Sequence, residues 1–494
     1  MLETAEVGHA ISKASYARQV PRLRQALLNA QFDLSEAKRG PVLILVSGVE
    51  GGGRSETANR LTEWMDPRHI RVIAFGPRTA EESARPPQWR YWRALPPRGK
   101  IGIFMNAWYN DVVEALAGGN ADARRAEFYF HKIRSVERML SDEGVRILKF
   151  WMHLPDAALR RRMKEVTRRE RKLKTLFHHD LRRAQLYMRH RDWWEALLRE
   201  TSTSEAPWVV VEGTDARYRE LTVGKILLDT LHDVSQRVPV RHERHGAPPA
   251  PPSVDSVKLV RDLDLKQRVP DDQYDKRLPK LQLKIANLTL RKRFRARSLI
   301  LALEGVDAAG KGGAIRRVTQ ALDARQYAIV PIAAPKEEER LHPYLWRFWR
   351  HVPAHGGITI FDRTWYGRVL VERVEKLANE QDWNRAYGEI NQFEEDLIDG
   401  GAVIVKFWLQ ISKAEQYRRF KAREKTSFKR FKITPDDWRN RKQWDAYEHA
   451  VADMVERTST EIAPWTLVEA EDKRYARIKI LRTICDRLEE ALDR

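Results

Sequence analysis

The sequence predicts an α/β protein of two tandem domains, each a mostly parallel sheet flanked by helices. Three observations lead there: a long internal repeat, short β-branched runs alternating with charged helical stretches, and a glycine-rich turn set between a strand and a helix. Strands apolar on both sides need cover on both faces, which crossover helices of a parallel sheet supply.

The repeat comes first. WRYWRALPPRGKIGIFMNAWY (89–109) lies over WRFWRHVPAHGGITIFDRTWY (346–366) with 11 identities in 21 positions, and APWVVVEGTDARY (206–218) over APWTLVEAEDKRY (463–475) with 8 in 13. Both pairs, and LKFW (148–151) against VKFW (405–408), share an offset of 257. Near the start the register slips by one, where Tyr16 and Pro21 match Tyr274 and Pro279. Rare tryptophans held in register over that distance mean a duplicated domain, since the period is far beyond that of a solenoid. The Pro-rich stretch PVRHERHGAPPAPPS (239–253) reads as a linker. The expected division is therefore 1–236, a linker over 237–253, and 254–494.

In the second half the elements follow in order. SLILALEG (298–305) reads as a strand, AIRRVTQALD (314–323) as a helix, and AIVPIA (328–333), ITIFD (358–362), VIVKFWL (403–409) and TLVEA (466–470) as further strands. Charged helical stretches separate them.

Composition narrows the function. The 494 residues carry 90 Lys and Arg against 69 Asp and Glu, a net charge of +21. That surplus favours a polyanion: nucleic acid, a membrane surface or a phosphate polymer. No apolar run is long enough to span a membrane, and the first ten residues lack the apolar core of a secretory signal. The lone cysteine, Cys485, can build neither an internal disulfide nor a thiolate metal site, which fits a reducing cytoplasm.

Chemistry concentrates in LILALEGVDAAGKGG (299–313). A strand, a glycine-rich turn and a helix form the setting of a P-loop: backbone N–H groups of Gly305, Ala308, Ala309, Gly310, Gly312 and Gly313 face phosphate oxygens, and Lys311 adds a point charge. A Ser or Thr usually follows the lysine to hold Mg²⁺. Here Gly312 follows, and Asp307 is the candidate replacement, because a hard cation needs oxygen ligands. ITIFDRTWYGR (358–368) then delivers Asp362 at a strand end as a second metal ligand, with Arg363 beside it to clamp a phosphoryl group. Arg368 and Arg373 follow as candidate phosphate or nucleotide ligands. The basic run YRRFKAREKTSFKRFK (417–432) reads as a lid over phosphates, with Arg423, Lys429 and Lys432 as its cations. Taken singly, each feature has a plainer reading: a structural turn, a capped strand end, a solvated helical face. Their order along the chain favours the combined site.

These motifs resemble the second family of polyphosphate kinases, over most of 270–490 and more weakly over 12–235. The resemblance implies two tandem P-loop kinase-like domains, each with a basic lid. It also implies phosphoryl transfer between inorganic polyphosphate and nucleotides with Mg²⁺. For a duplicated chain it implies AMP as acceptor and ADP as product. It places Asp307, Lys311, Asp362 and Arg363 at the family's catalytic positions. A polymer donor explains the charge without specific nucleic acid binding or a membrane; self-association of the chain stays open.

The first half departs from the pattern. At the same offset Asp307 becomes Glu50, Lys311 becomes Arg54, Asp362 becomes Met105 and Arg363 becomes Asn106, while Gly48 and Gly53 persist. A thioether cannot hold a hard cation, and a neutral amide cannot balance phosphoryl charge. The first half is expected to keep the fold and not the catalysis. Its basic run RRRMKEVTRRERKLK (160–174) could still hold polymer. Two other readings compete: an ATP-dependent nucleotide or nucleoside kinase on a similar fold, and a nucleic-acid-binding module with a vestigial loop.

Overall fold

The apolar runs become two five-stranded sheets in which every pair of neighbouring strands is parallel. The structure, a computed structural model, describes residues 2–117, 123–173, 185, 187–236, 257–426, 433 and 435–493. Lys429, Lys432 and the linker lie outside the described residues.

The first sheet holds β1 (Val42–Gly48), β2 (Ile70–Ala74), β3 (Ile101–Met105), β4 (Arg146–His153) and β5 (Trp208–Glu212), in the order β2-β3-β1-β4-β5. Helices α1 (Lys13–Ala37), α2 (Arg54–Trp64) and α3 (Ala216–Gln236) pack with it. The second holds β6 (Ser298–Gly305), β7 (Tyr327–Pro331), β8 (Ile358–Asp362), β9 (Ala402–Gln410) and β10 (Trp465–Glu469), in the order β7-β8-β6-β9-β10. Around it lie α4 (Asp271–Leu290), α5 (Lys311–Thr319), α6 (Glu380–Asp399), α7 (Lys413–Glu424), α8 (Pro435–Lys442), α9 (Trp444–Thr458) and α10 (Lys473–Asp493). The strand order is the same in both sheets, as the duplication requires.

Strand β6 shows why the sheet needs two helical layers. Leu299 through Leu303 are all buried, so the strand hides both faces. Each Leu or Ile taken from water contributes about 1.5–3 kcal/mol. The chain leaves β6 in one direction along the sheet and reaches β9 in the other, making the carboxyl end of β6 the switch point where open α/β sheets bind ligands. Helix α5 starts three residues earlier than its apolar period suggests and stops at Thr319, because left-handed Gly310 caps it and admits Lys311 as the first helical residue. Among the described residues, no helix is long and apolar enough to cross a membrane.

The chain divides into two compact units: Met1–Arg78, Arg90–Val240 and Pro335–Trp346 form one, and Thr79–Trp89, Arg241–Ala334 and Arg347–Arg494 the other. Each unit thus takes in one segment from the opposite half of the sequence, and the two segments are equivalent in the repeat. In the first unit Arg98 N donates to Leu341 O (2.8 Å) and Tyr344 N to Glu143 Oε2 (3.1 Å). In the second, His355 N donates to Ala84 O (2.8 Å), the counterpart of the Arg98 bond. A single cut in the linker does not describe this exchange.

A buried polar cluster recurs in both units. Lys406 Nζ donates to Glu394 Oε2 (2.8 Å), Tyr366 OH (2.9 Å) and Thr458 O (2.7 Å), while Trp365 Nε1 and Tyr366 OH donate to Glu394 Oε1. Lys149, Glu137, Tyr109, Thr201 and Trp108 repeat it. Removing one member of such a cluster strands a buried charge, at about 3–5 kcal/mol. Here lies the reason for the shared Trp-Tyr pair: it anchors the turn after β8 and after β3.

Candidate active site

The loop after β6 is shaped by its glycines. Gly305 has φ +152°, and a Cβ there would meet the Leu409 carbonyl oxygen at 2.6 Å. Gly310, at φ +116°, caps α5 and opens its N-terminus toward the loop. Lys311 Nζ reaches across to donate to Gly305 O (2.6 Å), so the amine lies at the loop mouth. From behind, Arg419 of α7 props the loop. Nearly fully buried, it donates to Ala308 O and Ala309 O (both 3.0 Å) and to Ala470 O and Glu471 O (2.9 and 2.8 Å), and pairs with Glu415 (2.5 Å).

Asp307 is the hub. One carboxylate oxygen faces Arg363 Nη2 (3.4 Å), and the other accepts from Asn440 Nδ2 (3.0 Å), which α9's neighbour α8 supplies. Gln416 Nε2 donates to the Asp307 carbonyl (3.2 Å). Burial works against the charge of the Arg363 guanidinium, but Asp307, Glu304 and Asp362 outweigh it and keep the group cationic. The Asp362 carboxylate accepts no hydrogen bond among the described residues. Glu304, at the end of β6, is buried; burial pushes its pKa up against the opposing pull of Lys311, Thr364 and Arg363.

Two cavities meet at this hub. One, of about 740 Å³, is lined by the loop, by Asp362, and by cations from three helices: Lys311, Arg316 and Arg317 of α5, Arg418, Arg419 and Arg423 of α7, and Lys473 and Arg477 of α10. The other, of about 110 Å³, is lined by Val260, Leu370, Val371, Trp408, Trp444 and Tyr447, together with polar side chains that include Glu304, Gln410, Asn440 and Glu448. Asp307 and Arg363 line both.

The structure thus brings Asp307, Lys311, Asp362, Arg363, Arg423 and the loop residues Ala308, Ala309, Gly310, Gly312 and Gly313 to one basin, with Gly305 at the adjoining cavity. It does not bring Arg368 or Arg373 there. Arg368 pairs with Glu372 (3.0 Å), and Arg373 with Asp453 (2.7 Å) and Tyr387 OH (2.8 Å), stacked on Trp383. Both cations follow the motif closely in sequence, but the turn and short helix after β8 carry them to other acids. Sequence reasoning missed Glu304, Gln416, Arg419, Asn440 and the α10 cations. A signal for Glu304 existed: the halves differ there, Glu304 against Ser47, inside otherwise matching strands.

In the first unit the equivalent loop keeps its backbone, with Gly48 at φ +132° and Gly53 at φ +92°. Its mouth is satisfied from within. Arg54 Nη1 donates to Asn106 Oδ1 (2.8 Å), and Nη2 pairs closely with Glu50. The equivalents of Lys311, Arg363 and Asp307 are thereby bonded to one another.

A glycine loop at the switch point of a parallel sheet, with a lysine at its mouth, two carboxylates and a cationic basin, defines a P-loop protein built to handle phosphate chains. Comparison with known proteins agrees. The family model for Polyphosphate kinase 2 (PPK2) matches residues 10–239 and 268–494, and the chain belongs to that family. It is 53% identical to a polyphosphate:AMP phosphotransferase of Pseudomonas aeruginosa, covering 99% of each chain, and 48% identical to one of Pseudomonas syringae pv. tomato, covering 100% of this chain and 99% of that one. A crystallised Pseudomonas aeruginosa protein assigned to polyphosphate kinase 2 superposes with a TM-score of 0.90 at 51% identity, covering 100% of both chains.

Proposed function

We propose that the chain transfers a phosphoryl group from inorganic polyphosphate to AMP, giving ADP, and that the second half, 254–494, does the chemistry. The observation that carries this reading is the hub: Asp307 and Arg363 stand between a cationic basin and an apolar, aromatic-lined cavity. A polymer with about one charge per phosphate suits the basin, where cations replace its counterions. The smaller cavity, with Trp408, Trp444 and Tyr447 in its lining, supplies aromatic side chains against which a base could stack as it enters. The basin's described lining has no aromatic residue, which favours a polymer donor over ATP.

The donor set suits Mg²⁺. Asp307 and Asp362 supply hard oxygens, and Mg²⁺ is usually held by one or two carboxylates together with substrate phosphates. Among the described residues no cluster of three or more ligating side chains would hold a metal by itself, so phosphate oxygens complete the set. When bound, the ion would neutralise charge on the transferring group. Lys311 steadies the phosphates at the loop, and Arg363 balances charge on the group in transit between the cavities. The lone buried Cys485 supports a reducing cytoplasm as the setting.

The test is ADP formation from AMP with polyphosphate as the sole phosphoryl source. Product without ATP supports the proposal. Activity that appears only when ATP replaces the polymer would favour the ATP-dependent kinase instead.

A further inference from the structure

The turn that follows β8 carries an unusual backbone. Arg363 sits at φ +64°, a left-handed conformation that is uncommon for a long side chain and gains from surroundings that enforce it. Its neighbour supplies the enforcement. Thr364, fully buried, donates both its backbone N–H (2.7 Å) and its hydroxyl (2.8 Å) to the same oxygen, Glu304 Oε1. Glu304 is the penultimate residue of β6, the strand paired with β8, so the bracket ties two adjacent strand ends; Arg363 N adds a bond to Leu303 O (3.1 Å).

The first half shows what the bracket is for. Its turn has the same left-handed residue, Asn106 at φ +55°, yet Ser47 stands for Glu304 and Ala107 for Thr364. The buried Ser47 hydroxyl has no partner. The fold and turn therefore survive without the bracket. Asparagine visits the left-handed region more readily than arginine, because its short side chain can hydrogen-bond locally. Bracket and arginine are present together in one half and absent together in the other. A buried carboxylate costs several kcal/mol of desolvation, a burden the first half shows to be unnecessary for folding.

We propose that Glu304 is a positioning residue: through Thr364 it locks the left-handed turn that aims Arg363 at Asp307. The proposal rests on reading Arg363 as the residue that balances phosphoryl charge. Glu304 also lines the smaller cavity, and the KM for AMP separates a contact there from an action on the turn.

Steady-state kinetics on full-length variants test it. Glu304→Ser and Thr364→Ala, the first half's own residues, should each lower kcat about 10- to 100-fold, the scale of a misplaced catalytic group, with KM for AMP and polyphosphate nearly unchanged. Glu304→Gln keeps an oxygen for Thr364 and should recover most of the lost turnover. The double variant should be no slower than the slower single one, and in an Arg363→Ala background Glu304→Ser should have no further effect. If Glu304→Ser does not fold, Thr364→Val and Thr364→Ser report on the same bracket, with Ser restoring what Val removes. Additive loss in the Arg363→Ala background overturns the proposal. So does a Glu304→Gln variant as slow as Glu304→Ser with a raised KM for AMP, which would make Glu304 a direct nucleotide contact. Near wild-type turnover by Arg363→Ala itself would defeat the site reading and this proposal together, so the two failures are distinguishable.

Discussion

Asp362 and Met105 end equivalent strands, and the contrast between them is that of a hard oxygen ligand and a thioether. Asp362 lines the basin with its carboxylate uncommitted, as a residue waiting for a cation and phosphates should. Asp362→Asn keeps the shape and removes the charge, so turnover at saturating Mg²⁺ should fall about 100-fold or more while the melting temperature holds. Near wild-type turnover would remove Asp362 from the metal site. At this scale the sequence was legible where the chemistry is local. Asp307, Lys311 and the glycines lie within nine positions between a readable strand and helix, and the structure keeps them around one basin and its adjoining cavity. It was not legible where partners come from afar. Asn440 meets Asp307 across 133 positions, and Glu304 reads as one more strand residue until Thr364 is seen against it. Arg368 and Arg373 show the converse: they lie near the motif in sequence, while the turn after β8 leads them to Glu372 and Asp453 and away from the described lining of the basin.

Among the elements, strands were readable because each is a short apolar run bounded by turn residues. ITIFD and SLILALEG match β8 and β6 end to end. Helix boundaries were less so, since the left-handed cap at Gly310 overrides the apolar period that sets the visible start of α5. The expected lid was read from one basic run, but the described basin draws its cations from α5, α7 and α10 together. Arg477 is 166 positions from Lys311 along the chain, and no local pattern announces their meeting. A basin assembled this way should bind a polyanion by releasing counterions. Between about 50 mM and 200 mM salt, affinity for polyphosphate should fall steeply, and affinity for AMP should fall much less because fewer charges are neutralised. Equal slopes for the two would contradict a polymer track. Arg477→Ala should flatten the polyphosphate slope and raise KM for the polymer with little change in kcat, read from titrations at several salt concentrations.

On the scale of the whole molecule, duplication supplies an internal comparison. Where the halves agree they agree about folding: strand order, loop glycines, and the buried Lys-Glu-Tyr-Trp cluster that recurs bond for bond. Where they differ they differ about chemistry. Besides the four positions proposed as catalytic, the basin's Arg316, Lys473 and Arg477 become Asn59, Ala216 and Glu220, and Gly313 becomes Glu56. At these positions the first half has lost cations and gained acids. The exchange of equivalent segments, Thr79–Trp89 and Pro335–Trp346, was invisible in the sequence because the repeat is unbroken there and only folding shows in which unit a segment rests.

One measurement bears most directly on the claim that a single half carries the reaction: kcat of Lys311→Ala beside kcat of Arg54→Ala in the full-length chain. Lys311→Ala takes away the ammonium at the mouth of the competent loop, and turnover should be nearly abolished. Arg54→Ala removes a side chain already bonded to Glu50 and Asn106, in a unit where Met105 and Asn106 stand for Asp362 and Arg363, and should leave kcat within about 3-fold of wild type. A fall in kcat for Arg54→Ala as severe as that for Lys311→Ala would show that the first half is catalytic.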